Sequence, residues 1–319
     1  MTSSRDKFLA YGAWAAICVF WGTTYLGIRV ALETLPPFLM GSFRFLVAGS
    51  LLFVFMRFFY GAKLPNKREW FTLSVLGVLL LGVGNGVVTW TEQYIPSGMT
   101  ALLVATFPFW AAGLEGLRPD GERLTPSALI GMLLGFAGLA LLVAPHFTGA
   151  NVNKYFILGV IALQVGCLTW TIGSIYAKYN PISVASLMGA SMQMLSAGVV
   201  LGLAGTLKGE WSSVHFSGKT FAALTYLIVF GSIVAFSAYN YAIQKLPLSF
   251  VSMYSYINPV IAVILGWVLL SEPLNWQIAL ATTVILCGVA LVKSKKEEKR
   301  SKQMVEEIET SVDSCTATG

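Results

Sequence analysis

Apolar runs of about 20 residues, the length that crosses a ~30 Å hydrocarbon core, recur along this chain between short breaks rich in Pro, Gly, Lys or Glu. The runs cover residues 10–31, 37–57, 70–91, 98–117, 126–145, 155–177, 182–206, 220–243, 249–271 and 275–292. This pattern predicts an all-α membrane protein of about ten transmembrane helices. The first run has the length of a full span and lacks a small-residue cleavage site, so it reads as a helix and not as a signal peptide. From Lys293 to Gly319 charges, Ser, Thr and Gly replace the apolar pattern, and a disordered or surface-helical tail is expected there.

Composition agrees: 56% of the 319 residues are hydrophobic and 11% charged, with a mean hydropathy of +0.71. A soluble chain of this length carries far more charge. The distribution of that charge sets an orientation, because cytoplasmic loops are enriched in Lys and Arg. With both ends placed in the cytoplasm, the inner connections hold Arg57, Lys63, Lys67, Arg68, Arg118, Arg123, Lys178 and Lys245. The opposite connections hold Lys154, Lys208 and Lys219. The net charge of +6 is therefore a topology signal, and the basic tail suits lipid headgroups and not nucleic acid. Cys18, Cys167 and Cys287 fall inside spans and Cys315 in the tail, which argues against a disulfide framework and matches no metal motif. His146 and His215 read as solvated loop residues. No cofactor is called for.

The sequence also repeats. Arg44 to Gly49 aligns with Gln193 to Gly198, and the same register pairs Trp21 with Trp170 and Arg29 with Lys178. With small drifts, Pro96 pairs with Pro247, Pro108 with Pro259, Glu122 with Glu272 and Gly138 with Gly288. The expected division is a first five-helix repeat over 1–150, a second over 151–292 and a cytoplasmic tail over 293–319. Since each half has an odd number of spans, the second lies upside down relative to the first, the plan of many secondary transporters.

Several motifs lie in order along the ten spans: Trp21-Gly22-Thr23-Thr24-Tyr25, Pro36-Pro37 followed by Arg44-Phe45, Gly84-Asn85-Gly86 through Pro96-Ser97-Gly98, and Ile257-Asn258-Pro259 ahead of Glu272. This set resembles the drug/metabolite transporter superfamily, with the EamA family of ten-helix carriers nearest and its bacterial YedA-like exporters the nearest group within it. The resemblance covers residues 10–292. It implies a cavity between the halves, export of amino acids, metabolites or drugs, and a place in the bacterial cytoplasmic membrane. The cavity would be walled by the first, third, fourth, sixth, eighth and ninth spans.

Ionisable groups inside a bilayer face a cavity, a partner or the interface. Arg44 lies about 10 Å into its span at 1.5 Å per residue, and its repeat mate Gln193 is also polar, which points both inward. Arg44 either contacts substrate or is locked to Glu33 or Glu92. Glu92 and Glu115 are candidate ion-coupling groups, with Glu115 also suited to an interface pair with Arg118. Trp21, Trp90, Trp110, Trp170, Tyr239 and Tyr254 offer stacking surfaces to a flat or cationic substrate, or anchors at the interface. Thr24, Asn85, Asn240 and Asn258 add hydrogen-bonding partners. Pro108 and Pro259 are matched mid-span kinks, each able to free a carbonyl or act as a hinge. Gly131, Gly135, Gly138 and Gly288 form a close-packing face, expected within one chain. A duplicated unit completes its own cavity, so a monomer is expected, with a dimer left open.

Together these features predict a secondary transporter of small organic molecules. An exchanger of nucleotide sugars or phosphorylated metabolites is the alternative. An enzyme would show an ionisable constellation inside the spans, and a channel would show repeated polar rings; the sequence has neither.

Overall fold

The computed structural model describes residues 4–117, 125–146, 153–246, 251 and 254–291. Arg118, Glu122, Arg123, Pro247 and the tail lie outside them, as do the side chains of Glu115, Lys178 and Asn240. The described residues are helical, with no strand. Eight helices are long and apolar enough to cross a membrane: α1 (Phe8–Ala31), α2 (Pro37–Phe59), α3 (Lys67–Thr91), α4 (Ser97–Leu114), α5 (Pro126–Val143), α6 (Lys154–Ala177), α7 (Ser186–Leu207) and α8 (Gly218–Tyr239). Two shorter apolar helices follow, α9 (Tyr254–Leu270) and α10 (Trp276–Leu291).

Most of the helices turn large apolar groups outward, the reverse of a soluble protein, whereas α4 is enclosed by its neighbours and exposes none. On α5, Leu129, Ile130, Leu133 and Leu134 are exposed while Gly131, Gly135 and Gly138 are buried. Bulk faces the hydrocarbon and small residues face neighbouring helices, which is how helices associate where lipid and side chain are equally apolar.

The small residues set two close helix pairs. A Cβ on Gly49 of α2 would lie 3.0 Å from the Leu195 side chain of α7, and one on Gly198 would lie 2.7 Å from the Leu46 side chain. Further along, Gly41 faces Leu201 and Gly205 faces Leu39. As the residue number rises on one helix it falls on the other, so α2 and α7 run antiparallel. The α5 and α10 pair is built the same way: a Cβ on Gly138 would approach Ile285 to 2.8 Å, and one on Gly288 would reach Gly135 N at 2.7 Å and Gly131 O at 2.6 Å.

Carboxylates tie the helix ends together. The first N–H groups of a helix have no partner of their own; two acids supply acceptors to them from elsewhere in the chain, and a third joins one helix start to the segment ahead of another. Glu210 accepts from the N–H of Phe38 and Leu39 at the start of α2 (3.1 and 3.0 Å). Glu272 accepts from Ser97 and Gly98 at the start of α4 (2.7 and 3.0 Å). Glu69 completes a capping box with Asn66 and also accepts from the N–H and hydroxyl of Ser183, ahead of α7. At the pole of Glu210, Ser217 and Thr220 form the capping box of α8, and Thr220 meets Thr34.

Two helices widen in mid-course. Gly77–Asn85 in α3 and Leu227–Val234 in α8 are π-helical, and Phe55–Phe59 at the end of α2 is a third such stretch. Helix α4 breaks at Ala105 and Thr106 and resumes at Phe107, whereas α9 carries Pro259 without interruption.

Candidate functional site

Arg44 is 4% exposed and reaches from α2 across to both widened helices. Its Nε donates to Ser232 Oγ in α8 (2.9 Å), and an NH1 proton points at Asn85 Oδ1 in α3 (3.5 Å). The guanidinium carbon lies 5.0 Å from the Phe45 ring centre. In α8 the adjacent carbonyl, Gly231 O, accepts from Trp21 Nε1 at 3.2 Å. The widened turn of α8 is thus held from α1 and α2 at consecutive residues. Residue 231 must be glycine for this: a Cβ would lie 2.8 Å from Thr24 Cγ2 and 3.2 Å from Arg44 NH2. Trp21, Thr24, Arg44 and Asn85, four positions singled out in the sequence, therefore meet at one place. Ser232 and Gly231, which complete it, carry no local signal in the sequence.

Trp21 continues into an aromatic group. Its ring centre lies 5.0 Å from that of Tyr254, 5.3 Å from Tyr239 and 6.4 Å from Phe236. Asn258, one turn beyond Tyr254, is buried; with its amide oriented to suit its neighbours, the nitrogen donates to Tyr254 O (3.1 Å) and Cys18 O (3.0 Å). Trp170 of α6 packs against Gly84, where a Cβ would lie 3.0 Å from its Cε3. Phe236 borders the apolar cluster that also holds Trp170, so both indoles face the bundle interior.

The other expected residues are spread more widely. Trp110 donates to Gln164 Oε1 at 2.9 Å, as does Thr106 at 3.0 Å, beside the break in α4 that precedes Pro108. Gln193 brings its backbone against Gly77, leaving no room there for a side chain. Glu33, one of the partners considered for Arg44, instead meets Lys219 Nζ at 2.6 Å. Glu92 is fully buried, and Arg29 donates to its backbone carbonyl.

A cavity of about 490 Å³ opens at one pole. It is lined by the α1–α2 connection with Glu33, Thr34 and Pro37, by the end of α3 with Trp90, Gln93 and Tyr94, and by the connection after α7 with Lys208, Glu210 and His215. Trp90 is the residue of the expected set in this lining. Burial pushes the Glu210 carboxyl above its ordinary pKa, against the opposing pull of the Leu39 and Phe38 N–H groups and of Lys208.

Helices faced with apolar bulk, packed through glycine and enclosing an arginine held by neutral groups, define a polytopic membrane protein with a polar, aromatic interior. The model of the EamA-like transporter family matches the chain twice, over residues 9–144 and 157–294, and the chain belongs to that family. It is 38% identical over 291 residues to YedA of Escherichia coli (strain K12), described as an uncharacterized inner membrane transporter, covering 90% of this chain and 92% of that one. It is 24% identical over 287 residues to the transporter YvbV of Bacillus subtilis (strain 168), with the same two coverages. A crystal structure at 19% identity shares the fold with a TM-score of 0.63, covering 91% of this chain and 98% of its own.

Proposed function

We propose that the protein is a secondary transporter of the cytoplasmic (inner) membrane that exports or exchanges small organic molecules by alternating access, using ten spans arranged as two inverted halves. One observation carries this reading: the helix contacts are reciprocal. Gly49 on Leu195 and Gly198 on Leu46 are the same contact with the halves exchanged, and so are Gly138 on Ile285 and Gly288 on Gly135. Such isologous packing is expected of a two-fold relation, and the antiparallel run of α2 and α7 supports an inverted one. Two near-equivalent packings of one bundle then open to opposite sides. The two widened stretches, in α3 and α8, stand at matching places in the repeat and are joined through Arg44. Widened turns gather at functional sites.

Substrate contact is assigned to Trp21, Thr24, Arg44, Asn85, Tyr239, Tyr254 and Asn258, with Trp170 on the facing half and Trp90 at the polar cavity. Trp110, Gln193 and Asn240 complete the set, with Pro108 and Pro259 as kinks. Purified protein is screened by thermal shift against amino acids, aromatic metabolites, cationic drugs and phosphorylated metabolites, and each hit is tested in liposomes. Saturable uptake with counterflow is expected. Currents at channel rates, or chemical conversion of the ligand, would end the carrier reading.

A further inference from the structure

Among the described residues, most polar groups inside this bundle are paired. The hydroxyls of Thr89, Thr171, Ser196 and Thr282 each donate to a carbonyl one turn earlier, the usual way to bury a hydroxyl in a helix. Around the α3–α4 turn that habit stops. The hydroxyls of Thr91, Ser97 and Thr100 and both carboxyl oxygens of Glu92 are buried without a hydrogen-bond partner among the described residues, and all four residues are 0% exposed. An ionised carboxylate is costly in such a place unless donors or a countercharge meet its oxygens.

The charged groups that face Glu92 are otherwise engaged, and Tyr25 is the remaining titratable group from α1. Arg29, also of α1, donates from its guanidinium to the backbone carbonyl of Glu92, not to its side chain. Arg44 of α2 is bonded to Ser232 and Asn85. Glu272, ahead of α10, accepts from the N–H groups that open α4. Helix α6 packs Gly159 against Thr91, and the cation at that end of it, Lys154, lies over the Tyr155 ring. An open cavity is one residue away: Trp90 and Gln93, either side of the Thr91-Glu92 pair, line the 490 Å³ cavity.

We propose that Glu92 is a proton-binding site of the transport cycle, a neutral acid in this conformation that releases its proton when the last turn of α3 moves. The carboxyl O–H bond breaks, the proton passes to water of the adjoining cavity, and the carboxylate left behind meets the guanidinium of Arg29. A metal cation at the same place would add charge beside Arg29 and Arg44, which disfavours it. The inference rests on the carrier reading and deepens it by naming the coupled ion.

Infrared spectra of the full chain in lipid nanodiscs, taken from mildly acidic to alkaline pH, test it. The wild type should show the C=O band of a protonated carboxylic acid near neutral pH, and that band should fade as pH rises. Glu92→Gln should lack it, and Glu92→Asp, which keeps the carboxyl if the amide variant misfolds, should shift it. An unchanged band in Glu92→Gln, a wild-type spectrum indifferent to pH, or a band removed by sodium but not by choline would each overturn the assignment. In liposomes, counterflow should depend on pH in the wild type and lose that dependence in Glu92→Gln. Saturable counterflow with the same pH profile in both overturns the proton site alone. A titrating band with no counterflow for any hit retires the carrier reading instead.

Discussion

Arg44 is the residue on which the interior turns, and its depth was legible in the sequence because a charge about two turns inside an apolar run has few ways to be satisfied. Its partners were not legible. Ser232 lies in the other half of the chain, and nothing near it in sequence marks it. Arg44→Ala leaves the buried Ser232 hydroxyl and the half-buried side-chain amide oxygen of Asn85 with one partner fewer, a loss of about 1–3 kcal/mol. Transport in liposomes should be abolished, and Arg44→Lys should restore it poorly, since an ammonium cannot span both helices as the planar fork does. Wild-type transport by well-inserted Arg44→Ala protein would end this assignment. Glu210 gives a pH test. Burial holds its carboxyl above the ordinary value, so the folded state prefers the protonated form, and the stability linked to this group is complete in acid and declines as pH rises through the folded pKa. Thermal melts should show Glu210→Gln gaining on the wild type as pH climbs from acid to neutral. A wild type that gains on the variant over that range would contradict this.

At the scale of the helix, the apolar runs marked most of the spans to within a few residues, because a lipid-facing helix announces itself by composition alone. The widened turns in α3 and α8 escaped notice: their residues, Gly77–Asn85 and Leu227–Val234, are ordinary apolar sequence, and the extra residue in each turn answers to packing across the bundle. Acids at helix ends were equally opaque. The sequence offers Glu92 as a candidate ion-coupling group or a partner for Arg44, but not its full burial, which comes from the α3–α4 turn carrying it into the interior. Glu272 has its role fixed by N–H groups 175 and 174 positions away. The glycine face of α5 was legible, and the structure gives it a partner in α10. Gly288→Leu would drive a side chain into Gly131 O and Gly135 N. Overpacking of this kind costs about 1–3 kcal/mol, so the variant should melt earlier in detergent while Gly12→Leu, where a Cβ meets nothing within 4 Å, should not.

For the whole molecule, the duplication was visible in the register that aligns Trp21 with Trp170 and Arg44 with Gln193, and the family model independently matches the chain twice. What one sequence could not give was where the halves touch, since side-chain contact between distant segments leaves no periodic trace. The orientation inferred from Lys and Arg remains a prediction of its own. Reporter fusions after Lys63 and after Lys293 should be active in the cytoplasm, and a fusion near Lys208 should be active outside. A fusion after Lys63 that reads outside would reverse the topology, and with it the side to which the Trp90 cavity opens.

The reciprocal glycine contacts carry a genetic consequence. Because Gly49 and Gly198 make equivalent contacts along one seam, a methyl group added at either site strains that seam, and with the halves inverted as proposed it does so from opposite sides of the membrane. Neither change touches the groups assigned to substrate, so affinity should be spared while the balance between inward-open and outward-open forms is tilted. Gly49→Ala and Gly198→Ala should therefore tilt it in contrary directions, and the double variant should restore an even balance at reduced stability. Mutational defects in this transporter would then come as mirror-image pairs, each suppressible by a second change about 149 residues away along the chain.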